Sequence, residues 1–90
     1  MKHFDWDESK NSWLKKERRI GFEDVLIAIE EDRILDDLEH PKRKHQRQLV
    51  IQHNEYIYLV PYVEDEEKIF LKTIIPSRKA KRVYMEGEEL

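Results

Sequence analysis

The sequence predicts an α+β domain: two N-terminal helices, a four-stranded antiparallel sheet and a short C-terminal helix. Three observations lead there. Apolar residues recur at helical spacing up to Ile29. β-Branched and aromatic runs dominate from Ile34 to Ile75. Pro76 and Ser77 then stop the last run before the cation-rich "RKAKRVY". A helix repeats its buried face every 3.6 residues and a strand every two, so the change of period separates the two halves.

Asp7 precedes "ESKNSWLKKERR". An aspartate there can accept hydrogen bonds from the unpaired amides of a first turn, and Glu8 complements the positive helix end. Trp6, Trp13 and Ile20 recur every seven residues with Leu14 beside them, and both tryptophans are expected in the core. Gly21 is expected to break the helix. In "FEDVLIAIEED", Phe22, Val25, Leu26 and Ile29 follow the i, i+3, i+4, i+7 rule, which predicts a second helix and a helical hairpin.

"RILDDLE" is short enough for an edge strand, and Pro41 marks residues 40–48 as a loop. "LVIQH" and "YIYLVPYV", separated by Asn54 and Glu55, predict a β-hairpin. Pro61 lacks a ladder donor, so a bulge or an outward-facing N–H position is expected there. "KIFLKTII" is the fourth strand, with Ile69, Leu71 and Ile75 turned to the core and Lys68 and Lys72 turned away. Ser77 is placed to cap the last helix.

Ninety residues make one domain over 1–90. Charged residues reach 41%, but 39% hydrophobic residues in periodic blocks argue for a fold rather than disorder. There is no cysteine, the longest apolar run is "VLIAI", and "MKHFDWDESK" is too polar for a signal peptide. A cytoplasmic protein without membrane contact is therefore expected.

A net charge of −3 argues against a protein that coats nucleic acid over its whole surface. Yet "HPKRKHQRQ" at 40–48 holds four cations and no acid, and residues 68–82 hold six cations and no acid. Two local basic patches lie hidden in an acidic average.

The termini carry a resemblance. "FDWDESKN" at Phe4–Asn11, "FED" at Phe22–Asp24 and "IIPSRKA" at Ile74–Ala80 resemble the opening and closing motifs of the BrnT toxins. That resemblance implies a RelE-like fold and a type II toxin–antitoxin system. It also implies ribonuclease activity that inhibits translation. The implied partner is a cognate antitoxin with a ribbon–helix–helix part, bound in a hetero-oligomer. The family's Lys-His-Gly is replaced here by Glu17, Arg18 and Arg19, so its histidine is not carried over.

Metal-free RNA cleavage needs a base for the 2′-hydroxyl, positive charge on the phosphate and an acid for the leaving oxygen. Arg78 and Lys79, matching the family's Arg-Lys, lead as phosphate holders, because a guanidinium fork fits phosphate. Lys72 could line the same groove. His40 is the base candidate by type. Arg43, Arg47 and Arg82 suit backbone contacts, and Tyr58 and Tyr62 suit base stacking. Four histidines without regular spacing, and no glycine-rich phosphate loop, lead to the expectation of no metal and no cofactor. Two rival readings share these residues: a ParE-like toxin that binds a protein target without cutting RNA, and a non-toxic partner-binding module.

Overall fold

Asp7 does start the first helix: its carboxylate accepts from the amides of Ser9 at 2.8 Å and Lys10 at 3.3 Å. The computed structural model describes residues 2–88. In chain order the elements are β1 (His3–Asp5), α1 (Glu8–Arg18), α2 (Phe22–Glu30), β2 (Ile34–Glu39), β3 (Arg47–His53), β4 (Tyr56–Glu64), β5 (Lys68–Leu71), β6 (Ile75–Pro76) and α3 (Arg78–Tyr84).

The α+β class holds, but the sheet has six strands and is mixed rather than antiparallel with four. Its order is β1-β5-β4-β3-β2, with β6 also on β4. β1 runs parallel to β5, pairing Phe4 with Ile69. Three residues carry too little periodicity to announce a strand, and β1 exists only because β5 offers it an edge. The hairpin turn at Asn54 and Glu55 has φ of 48° and 60°, the left-handed pair that suits a twisted two-residue connection.

α1 ends earlier than Gly21, at Arg19, which turns left-handed with φ 57°. Gly21 instead caps α2, its amide donating to the Asp24 carboxylate at 2.8 Å. Its φ of −120° suits any residue, so the only constraint on a side chain here is the close approach of neighbouring side chains. A Cβ would meet Lys15 Cε at 2.6 Å and Asn11 Oδ1 at 3.0 Å.

Alternation along the strands divides the interior in two. Leu49, Ile51, Val60, Tyr62, Leu71 and Ile74 meet Leu14, Phe22, Val25 and Ala28 of the two N-terminal helices and Ile20 of the turn between them. On the opposite face Val50, Ile57 and Leu59 meet Ala80 and Tyr84 of α3. Burying each large side chain contributes roughly 1.5–3 kcal/mol, so the helical face carries most of the apolar stabilisation. Ser77 caps α3 by accepting from the Ala80 amide at 3.0 Å.

The expected fourth strand is broken. After Leu71 the chain leaves the ladder and resumes as β6, so Ile74 is fully buried while Ile75 is 40% exposed. Pro61 explains the break. Its carbonyl accepts from the Lys72 amide at 2.8 Å, which shows that its missing N–H faces the same side, where β5 has stopped and β6 has not begun. Among the described residues, no helix is long and apolar enough to cross a membrane.

Candidate nucleic-acid interface

The break at residues 72–74 has a consequence at the surface. It sets Lys72 and Thr73 against the β2–β3 loop, which carries His40, Lys42, Arg43 and Gln46. With Lys10 of α1, Pro61 and Ile75 they line an open groove of about 450 Å³. No carboxylate lines it. That volume lies within the range of small-ligand sites, about 300–1,000 Å³.

The loop is held by its own hydrogen bonds. The His40 amide donates to the Gln46 carbonyl at 3.0 Å, and the Gln46 amide donates to the Arg43 carbonyl at 3.1 Å. His40 Nδ1 accepts from the amides of Lys42 and Arg43, both at 3.1 Å. An imidazole nitrogen accepting from two amides has no lone pair to spare, so Nε2 is the ring nitrogen left for a ligand. His40, the general-base candidate, therefore stands in the groove with its Nδ1 acceptor already used by its own loop.

Lys42, Arg43 and Lys72 are exposed, and none has a carboxylate partner among the described residues. Of the other cations singled out in the sequence, Arg47 and Arg82 are paired, whereas Arg78 and Lys79 also lack a carboxylate partner among the described residues but lie outside the groove. Arg82 pairs with Glu88 at 3.1 Å. Arg47 Nε donates to Asp37 at 3.1 Å, and that hydrogen bond, helped by Tyr62 and the Asp37 charge, holds the guanidinium even more firmly protonated than usual. Arg78 and Lys79 do not line the groove. β6 pairs with Tyr58 and Leu59, which carries the start of α3 toward the hairpin end of β4. Arg78 is exposed there, and Lys79 borders an apolar groove of about 150 Å³ with Leu38, Val50 and Leu59.

The two stacking candidates are also spoken for. Tyr62 is only 5% exposed, so its ring offers no face to a base. Its hydroxyl donates to Asp37, at 2.9 Å from each carboxylate oxygen. Burial and that carboxylate push the phenol up to about 12. Tyr58 packs on the helical core beside Tyr56 and His53, with ring centroids 5.7 and 6.2 Å away. Burial, then the neighbouring Tyr56, raises its phenol.

Asp37 and its neighbour fasten the edge strand β2 from two directions. Asp37 takes Tyr62 of β4, and Asp36 takes the Tyr84 hydroxyl of α3 at 2.9 Å. Tyr62→Phe should lower stability by about 1 kcal/mol in urea titration, because the half-exposed Asp37 can rehydrate. The pH dependence follows from the raised phenol. Below pH 10 it is protonated folded or unfolded, and the bond contributes fully. Between pH 10 and about 12 the unfolded chain loses that proton first, so stability falls. The wild-type-minus-variant difference in stability should shrink across that window; a constant difference would show that Tyr62 is not the group titrating.

A larger groove of about 500 Å³, between β4 and the β2–β3 loop, is lined by Glu39, Glu64, Asp65 and Glu66 as well as Lys2, Lys44 and Arg47. Four carboxylates would repel a phosphate chain, so volume alone does not make it the site. Among the described residues no three of His, Asp and Glu converge as metal ligands.

Of the sequence candidates, then, His40, Arg43 and Lys72 come together, while Arg47, Tyr58, Tyr62, Arg78, Lys79 and Arg82 do not join them. Lys10 and Lys42 were missed. Lys10 stands three residues before Trp13, a spacing that sets neighbours on one helix face and could have drawn it out. Compared with family models, with curated proteins and with solved structures, the chain gives no match in any of the three.

Proposed function

We propose that this chain is an RNA-directed toxin that inhibits translation and is restrained by a bound antitoxin. The observation that supports the reading is the carboxylate-free groove, where Lys42, Arg43 and Lys72 stand unpaired beside His40. Cations without internal partners keep their full charge for a phosphate chain, and arginine's planar fork can hold one phosphate through two bonds. Exposed charges are screened beyond about 10 Å at 0.1 M salt, so these cations act on phosphates lying within the groove itself. An acidic antitoxin segment would meet the same cations, so inhibitor and RNA would compete. The RelE-like fold belongs to the same proposal.

The groove accounts for binding better than for cutting. It can stabilise a phosphate that gains negative charge, and His40 can donate through Nε2. A base for the 2′-hydroxyl would require His40 to release the two amides on Nδ1. This observation favours a toxin that obstructs RNA over one that cleaves it.

The test is purified protein with end-labelled single-stranded RNA in a chelator. Filter binding across about 50–200 mM salt should give a log–log slope near −2, as expected for roughly three phosphate contacts on a single strand. Products on a sequencing gel would assign cleavage as well. No retention of RNA at the low-salt end would sink the RNA reading.

A further inference from the structure

We infer that Trp13 is a stacking platform for an unpaired base whose phosphates lie in the adjoining cationic groove. The ligand class is single-stranded nucleic acid, with RNA the member the preceding proposal requires, and the inference rests on that proposal.

Trp13 was expected in the core, yet it is 43% exposed on α1. Trp6, by contrast, stacks on the buried Phe22 with centroids 5.5 Å apart. Two cations approach the Trp13 ring: Lys10 Nζ at 4.7 Å from its centroid and the Arg18 guanidinium at 5.0 Å. Both tie the ring to the groove. Lys10 is itself one of the groove-lining residues. The Arg18 guanidinium donates to the carbonyl of Ile74, which lies between the groove-lining Thr73 and Ile75. The indole therefore stands at the groove's border, beside an arginine anchored to Ile74 and the groove-lining Lys10.

A structural role for this arrangement would be to shield an exposed ring, since a cation over an indole is favourable in its own right. Shielding does not explain why the lysine that covers the ring also serves the groove. A nucleotide does: its base can take the ring face while the Lys10 ammonium turns from the indole to the adjoining phosphate. Single strands are gripped in just this combination, bases on aromatic faces and phosphates on cations.

The experiment compares wild type with Trp13→Ala and Trp13→Phe, each shown to be folded by circular dichroism. The probes are oligoadenylate, oligodeoxyadenylate and inorganic polyphosphate in a chelator. Trp13→Ala should weaken oligoadenylate about tenfold, the usual scale of one lost base–aromatic stack. It should leave polyphosphate unchanged, because that probe has no base. Trp13→Phe should recover much of the loss. Oligoadenylate should quench wild-type tryptophan fluorescence, and the quench should vanish in Trp13→Phe, where Trp6 alone remains. Equal weakening of oligodeoxyadenylate would support a platform for single strands generally, and weakening of oligoadenylate alone would support one that RNA prefers.

Unchanged oligoadenylate affinity in Trp13→Ala would overturn the platform while leaving the groove standing. Parallel loss for oligoadenylate and polyphosphate would overturn it too, by assigning the effect to Lys10 and Arg18. Wild type that holds polyphosphate but neither oligonucleotide would overturn both this inference and the RNA reading.

Discussion

Replacing Lys42, Arg43 and Lys72 together by alanine should leave a folded protein that binds single-stranded RNA about 10²-fold more weakly near 0.1 M salt. Each single-strand phosphate contact scales affinity with salt to the power of about −0.7, roughly fivefold per contact at 0.1 M relative to 1 M. The three together therefore account for roughly two orders of magnitude. The salt dependence should flatten as well, its slope shrinking by about 2, because each single-strand contact contributes about 0.7. Folding should be spared, since all three side chains are exposed and none is in an ion pair among the described residues. Arg78→Ala is the instructive comparison, with an expected loss below about threefold because Arg78 does not line the groove and exposed charges outside it are partly screened. A loss from Arg78→Ala as large as that of the triple variant would move the phosphate site to the start of α3.

Local chemistry was legible in the sequence wherever one residue decides one bond. Asp7 and Ser77 cap their helices, and Asn54 with Glu55 makes the hairpin turn. The alternation along β4 also held, with Val60 and Tyr62 on one face and Ile57 and Leu59 on the other. What misled was a period that crosses element ends. Trp6 precedes α1 and Ile20 follows it, so the seven-residue recurrence with Trp13 is not a helical stripe. Trp13 turns outward while its two apparent partners turn in.

The site was legible only in halves. Both basic patches stand out as charge runs, but their joining depends on Pro61, which lies in neither, halting a ladder. A proline opposite the 71–75 segment leaves Lys72 free to face the His40 loop, and the same interruption shifts Ile74 into the core. Arg78 looked closer to Lys72 than His40 does, being six residues away. Two of those residues, Ile75 and Pro76, pair along β4 as β6 and lead Arg78 toward the hairpin end of that strand. Separation along an extended chain, at about 3.3 Å per residue, is distance rather than neighbourhood.

Asn11→Leu is expected to cost about 3 kcal/mol and to lower Tm by roughly 12–24 °C for a domain of this size. Asn11 is 1% exposed, and both ends of its amide are used. Its Oδ1 accepts from the Phe22 amide at 2.7 Å, satisfying a first-turn donor of α2 that the helix itself cannot. Its Nδ2 donates to Glu23 at 2.9 Å, and that bond is the main reason the Glu23 carboxyl sits below its usual range. Leucine fills similar space but leaves the Phe22 amide buried without a partner and Glu23 without its donor. Wild type should also lose stability as pH falls through the depressed Glu23 value, since the ionised form is the one bound; the leucine variant should lack that contribution. Asn11→Asp separates the two bonds. It keeps an acceptor for Phe22 but sets a second carboxylate beside Glu23, so it should be unstable at pH 7 and partly recover near pH 4–5 as one carboxyl takes a proton. Urea titration of both variants across that pH range decides the matter. If Asn11→Leu is as stable as wild type at neutral pH, the α1–α2 junction is held by Leu14, Phe22 and Val25 alone.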